Sequence, residues 1–543
     1  MRTIFLLSSI FFFLFSCIKD RNRVDSGDLV IDSVTVNDVY VLPGGVAEEI
    51  DFRKVDVKIF FRNAVDSTRL RKSSMFFTGN IDTLYKTRFI RNTILEIIPD
   101  SALRALSVYR FIFDAGPNLG GRLQQPYSFT FYTSIDSSRK FPAISDDSLI
   151  TLVQKQTARY FWDYAQPVSG LARERYGSGD LVTTGGSGFG MMALITSAER
   201  GFITRQQAFS HFSKQVNFLL KCDRFHGAFP HWINGATGKV YPFSQKDNGG
   251  DLVETAFLVQ GLLTIRQYFR NGTPEEQALC DSINKIWAGV EWDWYRNNQN
   301  RLFWHWSPEY QWQMNMPVTG WNEALIVYVL AAASPTHAVP VEVYDEGWAR
   351  NGTIKNGKTF YNIRLPLGED YGGPLFFAHY SFMGLDPRKL YDKYAIYWEQ
   401  NTAHALINYN YCVQNPASRR GYSQAVWGLT ASDIPGGYSA SSPRNDLGVI
   451  APTAALSSMP YTPVESMRAL KFFYYVLGDK LWGEYGFRDA FSLEKLWFAD
   501  SWLAIDEGPI IVMIENFRSG LLWNLFMSSE EIRNGLVKLQ FSY

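Results

Sequence analysis

Between Leu29 and about Thr133, apolar and polar residues alternate in short runs. Ile31-Asp32-Ser33-Val34-Thr35-Val36 puts its apolar side chains on one face, and Val55-Asp56-Val57-Lys58-Ile59-Phe60 repeats the pattern. Thr93 to Ile98, Tyr109 to Phe113 and Tyr127 to Tyr132 continue it. Turn residues such as Pro43-Gly44-Gly45 and Asn118-Leu119-Gly120-Gly121 separate the runs. Period-two runs bounded by turns predict an antiparallel β-sandwich over 29–135. Nothing in the block carries catalytic chemistry, so a spacer or adaptor role is expected.

Ser137 to Pro142 reads as a linker, and after it the period becomes helical. Ser145 or Asp146 can cap a helix carrying Leu149, Leu152, Val153, Tyr160, Phe161 and Tyr164 at three- and four-residue spacings. Further helices are predicted at about 187–200, 204–221, 250–270, 275–296, 321–333, 340–350, 371–384, 387–413, 463–478 and 507–527. Long Gly-, Pro- and aromatic-rich loops lie between them, where a rigid scaffold places its chemistry. Roughly a dozen helices without a strand series permit two concentric rings of six, but the period alone permits other helical stacks.

The first residues stand apart from both patterns. Arg2 supplies a positive start, and Ile4 to Phe15 is almost wholly apolar, the length of a signal-peptide core and too short for a permanent span. The stretch ends Leu14-Phe15-Ser16-Cys17, which resembles the lipobox of bacterial lipoproteins. That resemblance implies cleavage after residue 16, acylation of Cys17 and a lipid anchor as the sole attachment to a membrane. The expected location is the bacterial outer membrane, facing the periplasm or the cell surface, with residues 18–28 as a polar tether.

Charge and cysteine content narrow the function. Lys+Arg and Asp+Glu each number 53, so no net field draws the chain to nucleic acid. Besides Cys17 there are Cys222, Cys280 and Cys412, an odd number with no Cys-x-x-Cys pair, which speaks against a disulfide framework or a zinc site. No His or Asp pair has metal-ligand spacing, and no phosphate loop or Gly-x-Ser-x-Gly elbow occurs, so neither metal nor cofactor is expected. Gly185 to Gly190 reads as a turn into a helix. A monomer is expected.

Motifs then recur in order through the helical part. They are Gly185-Gly186-Ser187-Gly188-Phe189-Gly190, Glu199-Arg200-Gly201, Gly227-Ala228-Phe229-Pro230-His231-Trp232, Asp251-Leu252-Val253-Glu254-Thr255-Ala256 and Trp321-Asn322-Glu323-Ala324. Ser334-Pro335-Thr336-His337, Gly373-Pro374-Leu375-Phe376, His379-Tyr380-Ser381, Trp427-Gly428-Leu429-Thr430-Ala431, Ala451-Pro452-Thr453-Ala454-Ala455 and Ile514 to Gly520 follow. The set resembles the bacterial family first labelled "putative glucoamylase", which includes endo-β-1,2-glucanases. The resemblance spans 145–540 and implies an (α/α)6 toroid with a carbohydrate cleft. It also implies an inverting hydrolase, endo-acting on β-1,2-glucan and releasing short oligosaccharides such as sophorose. The sandwich resembles a bacterial Ig-like domain, on Tyr109-Arg110-Phe111 and the strand ending Phe131-Tyr132-Thr133.

Glycosidic cleavage needs one carboxyl to protonate the leaving oxygen and a second to activate water or attack the sugar. Asp251 and Glu254 stand three apart before the apolar run Ala256 to Leu263, on one face of a helix. Acids there can also simply cap the helix. Glu323 heads an apolar helix beside Trp321, where burial would raise its pKa as a general acid requires. The family's catalytic acids match Asp251, Glu254 and Glu323. The residues leave acid and base unassigned. Glu515 reads as a structural partner of Arg518.

Aromatic residues are 16% of the chain, and flat rings with polar edges suit stacking on sugars. His231, Trp232, Trp304, Trp306, Trp312, Trp427 and Tyr438 are the candidate substrate contacts. The alternatives are a non-catalytic glycan-binding lipoprotein, a polysaccharide lyase, and a hydrolase of another glucan linkage.

Overall fold

The computed structural model describes residues 27–78 and 85–543; Cys17, its leader and nearly all of the tether lie outside these residues. The chain divides into two compact units, Met1–Asp136 and Ser137–Tyr543.

The first unit is built from strands β1 (Ile31–Val36), β2 (Val39–Val41), β3 (Val46–Ile50), β4 (Val57–Phe61), β5 (Met75–Thr78), β6 (Tyr85–Ile90), β7 (Ile94–Pro99), β8 (Val108–Phe113), β9 (Gly116–Asn118), β10 (Gly121–Leu123) and β11 (Tyr127–Thr133). One sheet runs β2-β1-β4-β7-β6 and the other β3-β11-β8-β5. Alternate residues point inward, so Val34, Val57, Ile59, Leu95, Phe111, Phe129 and Phe131 are buried in a shared core. Across β8 and β11, Phe111 pairs with Phe129 and Tyr109 with Phe131, each with ring centroids 5.5 Å apart. Among the strands that the alternation did not reveal, β2, β3 and β5 have exposed apolar residues such as Val39, Tyr40, Val46 and Phe76. That blurs the period. β3 also pairs parallel with β11, a contact no hairpin announces.

The second unit is mainly helical. Its helices are α1 (Asp146–Trp162), α2 (Thr184–Glu199), α3 (Arg205–Leu219), α4 (Leu252–Phe269), α5 (Pro274–Ala288), α6 (Leu325–Ala333), α7 (Tyr397–Gln414), α8 (Pro452–Ser457), α9 (Pro463–Tyr475), α10 (Gly478–Leu481), α11 (Ala504–Arg518), α12 (Leu521–Met527) and α13 (Glu530–Lys538). Helices α2, α4, α6 and α11 are buried around most of their circumference, whereas α3, α5 and α13 bury one face.

Gly185 to Gly190 lies inside the first turns of α2, not in a turn before it. The glycines are there for contact. A Cβ on Gly188 would stand 2.2 Å from the Phe257 carbonyl oxygen, and one on Gly261 2.3 Å from that of Gly188. This close crossing sets α2 against α4 and outweighs glycine's ordinary cost in a helix, about 0.5–1 kcal/mol each.

The expected helix at 371–384 is instead two 3₁₀ turns, Leu375–Ala378 and Ser381–Met383. Gly372 and Gly373 hold φ near +95° and +87°, and Pro374 follows, so no α-helix can start earlier. Residues 387–396 are likewise irregular, and α7 begins only at Tyr397. Cys222, Cys280 and Cys412 are buried and unpaired. Among the described residues no helix is long and apolar enough to cross a membrane.

Candidate active site

Short strands at the ends of the helices carry the site. β12 (Leu181–Thr183), β13 (Trp232–Asn234) and β14 (Val240–Tyr241) form one sheet, and β15 (Gly250–Asp251) pairs with β16 (His305–Trp306). Thr183 of β12, Trp232 of β13 and Trp304 just before β16 line a cleft of about 530 Å³, within the usual size of ligand sites. Its wall includes Glu254, Glu323, His231, Trp232, Phe243, Trp304, Asn322, Tyr380 and Tyr438, with Glu174, Arg175, Leu503 and Ile505.

Asp251 does not line this cleft. It is fully buried as the N-cap of α4, and its Oδ1 accepts from the amides of Val253 and Glu254, both at 2.9 Å. Oδ2 accepts from the Trp304 indole N–H at 2.7 Å and from His231 Nδ1 at 2.8 Å. With both oxygens engaged, Asp251 is a hub that orients Trp304 and His231. Of the three acids expected to react, Asp251 is thus the one set behind the cleft wall, while Glu254 and Glu323 are on it.

Glu254 follows three residues later but turns away from the cap. Its Oε2 accepts from the Gly185 amide at 2.7 Å and the Thr183 hydroxyl at 3.3 Å, across the α2–α4 crossing. Burial raises its pKa, opposed by the charge of His231 and reinforced by Asp251. Burial works against a charged His231, yet Glu254, Asp251 and Asp247 outweigh it and bring the imidazole to about 9. His231 is therefore an imidazolium at neutral pH. Its ring stacks on Phe243 at 4.2 Å, and Trp232 packs edge-on to Phe243 at 4.8 Å.

Glu323 arrives from a distant part of the chain. The turn before α6 is pinned by Ser381, whose hydroxyl donates to the Glu323 carbonyl and accepts from the Ile326 amide. The carboxyl is half-buried on the cleft wall, and burial pushes it up to about 7. Glu174 is also on the wall, but it is tied to Arg175 at 2.9 Å.

Asp247, His231 and Asp251 place ligand-type atoms within 4.8 Å of one another, a grouping able to hold a cation. Four donors already occupy Asp251, and the imidazolium balances the charge. Burial, then the Asp251 charge, raises Asp247 to about 7. Burial lowers His305 to about 4; its Nε2 accepts from the Gly249 amide at 3.1 Å.

The expected aromatic contacts separate into three groups. His231, Trp232, Trp304 and Tyr438 are on the cleft wall. Trp306 and Trp312 are not; both pack on Trp294, outside the cleft. Trp427 is fully buried, donates to the Glu465 carbonyl at 3.3 Å and meets Tyr409 edge-on. It is core. Glu515 does form a buried pair with an arginine, but with Arg200 at 2.7 Å rather than Arg518.

Sequence reading missed Phe243, Asn322 and Tyr380, and the buried acids Asp489, Asp506 and Glu507. Burial raises all three acids, Asp489 to about 7. Asp506 and Glu507 open the apolar helix α11, the same signal that marked Asp251 and Glu254.

Known proteins resemble this chain in sequence and fold. The family described as "Putative glucoamylase" matches residues 315–530. A crystal structure titled a putative glucoamylase, from Bacteroides uniformis, is 55% identical, over 74% of this chain and 99% of that one, at a TM-score of 0.73. The chain belongs to the glucoamylase-like family. An endo-beta-1,2-glucanase from Chitinophaga pinensis, solved with sophorotriose and glucose, is 56% identical over 74% of this chain and 99% of that chain, with a TM-score of 0.73. An exo beta-1,2-glucooligosaccharide sophorohydrolase (non-reducing end) from Parabacteroides distasonis is 46% identical over 427 residues, 74% of this chain. The chain spans 59% of the length of that curated relative. As a member of the glucoamylase-like family, the chain has its cleft partly inside the matched segment, through Glu323, and partly before it, through Glu254.

Proposed function

We propose that the protein is an exported glycoside hydrolase that cleaves β-1,2-glucan internally and releases short oligosaccharides such as sophorose. The observation that carries the reading is the pair of carboxyls, Glu254 and Glu323, on the wall of an aromatic cleft. Glu323 is the general acid, since burial keeps it protonated up to about pH 7 and no cation pairs with it among the described residues. Glu254 is the second carboxylate, which activates water for an inverting displacement. Burial raises its pKa, the His231 imidazolium opposes that rise, and Gly185 and Thr183 fix one oxygen, which orients the carboxylate toward water. Asp251 positions the site without touching substrate. The likeness to the Chitinophaga pinensis endo-enzyme, over nearly all of that chain, supports the linkage and the internal cleavage.

The (α/α)6 toroid belongs to the same reading. Helices buried on all sides follow one another in space, α6 on α4, α4 on α2, α2 on α11 and α11 on α8. One-faced helices cover them from outside, α13 on α6, α5 on α4, α3 on α2 and α9 on α8. An inner and an outer layer alternating along the chain support a double ring.

Product analysis tests the activity. Purified protein should turn linear β-1,2-glucan into a falling ladder of oligosaccharides, with the fresh reducing end in the inverted, α anomer by NMR. Release of sophorose alone from the chain end would overturn internal cleavage, and a β-anomeric product would overturn inversion. Cleavage of starch but not of β-1,2-glucan would overturn the linkage.

Lipid anchoring at Cys17 completes the proposal, on the Leu14-Phe15-Ser16-Cys17 sequence alone. Full-length protein made in a bacterium should enter the detergent phase on phase separation, and Cys17→Ser should move it to the aqueous phase. Wild-type protein found wholly in the aqueous phase would sink the anchor.

A further inference from the structure

Beyond the cleft, a second pocket of about 280 Å³ is lined by Glu291, Asp293, Trp294, Asn297, Asn298, Trp312 and His337. It shares no residue with the cleft wall. We propose that this pocket is a second glucan-binding site that holds a stretch of the polysaccharide while the cleft acts on another; it rests on the β-1,2-glucan reading for its choice of sugar.

Chemistry selects the ligand class. Trp294 is 40% exposed, a large surface for an indole, and its ring is held by three neighbours. His226 stacks on it at 3.7 Å, Trp306 meets it edge-on at 5.9 Å, and Trp312 lies tilted at 6.4 Å. His226, the supporting imidazole, is fixed in turn by Glu291 at 2.8 Å from its Nδ1, and His337 on the pocket lining has its Nδ1 2.9 Å from Asp293. Asp293 also accepts from the Trp294 amide at 3.0 Å, locking the turn that presents the indole.

Asn297 and Asn298 both hold left-handed backbone, at φ 46° and 57°. Asparagine tolerates this conformation better than other side chains with a Cβ, and two in succession keep the turn tight at the pocket rim. The rim thus combines amides, carboxylates and one imidazole around exposed aromatic surface. Lys and Arg are missing from the lining, which disfavours phosphate or carboxylate ligands. Neutral vicinal hydroxyls fit it, accepting from amide N–H groups and donating to carboxylates, while the sugar's C–H face meets the indole. Trp306 and Trp312, set apart from the cleft by the fold, gain a role here as the ring's support.

The test compares the full chain with Trp294→Ala and, as a milder variant, Asn298→Ala. Affinity electrophoresis in gels holding linear β-1,2-glucan reads binding, and kinetics are taken on the polymer and on a short β-1,2-oligosaccharide. Trp294→Ala should weaken retardation about 3–10-fold and raise KM on the polymer by a similar factor. Turnover of the short substrate should stay at the wild-type level. Asn298→Ala should shift retardation the same way to a smaller extent, with a melting temperature only slightly lower, since alanine tolerates the left-handed backbone at φ 57° less well. Unaltered retardation and polymer KM in Trp294→Ala would overturn the second site. Equal losses on short and long substrates would also overturn it, because Trp294 would then act through the cleft. Wild type that is retarded but cleaves no β-1,2-glucan, with retardation lost in Trp294→Ala, would leave the site standing and remove the hydrolase reading instead.

Discussion

Glu323→Gln is expected to lower kcat on β-1,2-glucan by about 10²–10⁴-fold, the contribution of a positioned general acid. The same variant should melt at a higher temperature than wild type above pH 7. Burial raises the Glu323 carboxyl from its ordinary 4.5 to about 7, so the folded state holds its proton more tightly than the unfolded chain does. A folded pKa above the unfolded one stabilises fully below pH 4.5, and that contribution is lost as pH rises through about 7. Above that pH, wild type holds a desolvated charge at a cost on the order of 3 kcal/mol, which the amide does not incur. For the same reason, wild-type turnover should fall as pH rises through about 7. Melting curves and kcat from pH 5 to 9 check both halves. Glu323→Gln with turnover within a few-fold of wild type would remove Glu323 from the chemistry. A variant that melts lower at every pH would show the residue to be structural.

Asp251→Ala is expected to cost about 3–5 kcal/mol of stability, the scale for removing one partner of a buried ion pair. The change strands the His231 imidazolium and the Trp304 N–H, and uncaps the Val253 and Glu254 amides. The sign with pH follows from His231. Its folded pKa, about 9, lies above the ordinary 6.5, so its stabilisation is complete below pH 6.5 and is lost as pH rises through about 9. The gap in melting temperature between wild type and Asp251→Ala should therefore narrow toward pH 9–10. Asp251→Asn should be intermediate, since an amide oxygen still caps the helix but the NH₂ faces two donors. If Asp251→Asn melts with wild type while kcat falls by about 10²–10⁴-fold, Asp251 is a reacting acid and the hub assignment fails.

The two carboxylates of Asp251-x-x-Glu254 show where sequence stops being informative. Spacing three apart at the head of an apolar run was legible, and it marks a helix N-terminus correctly. The cap then bends Asp251 back onto its own helix, while Glu254 reaches Gly185 of another. Only the α2–α4 crossing decides that, through contacts at Gly188 and Gly261 that no local period encodes. Glu323 was legible as an acid beside Trp321, but its place on the same wall depends on Ser381 clamping the turn before α6.

The aromatics divide in the same way. By itself the sequence determined a β-rich unit followed by a helical one, because period two and period 3.6 are written in neighbouring residues. It also determined the family, because the ordered motifs are local strings. Tertiary structure alone decided that Trp304 faces the cleft while Trp306, two residues on, supports Trp294. It also buried Trp427 under Tyr409 and gave Glu515 to Arg200 rather than to nearby Arg518. Burial and pairing are set by residues tens or hundreds of positions away, and a side chain's own neighbours in sequence carry no record of them.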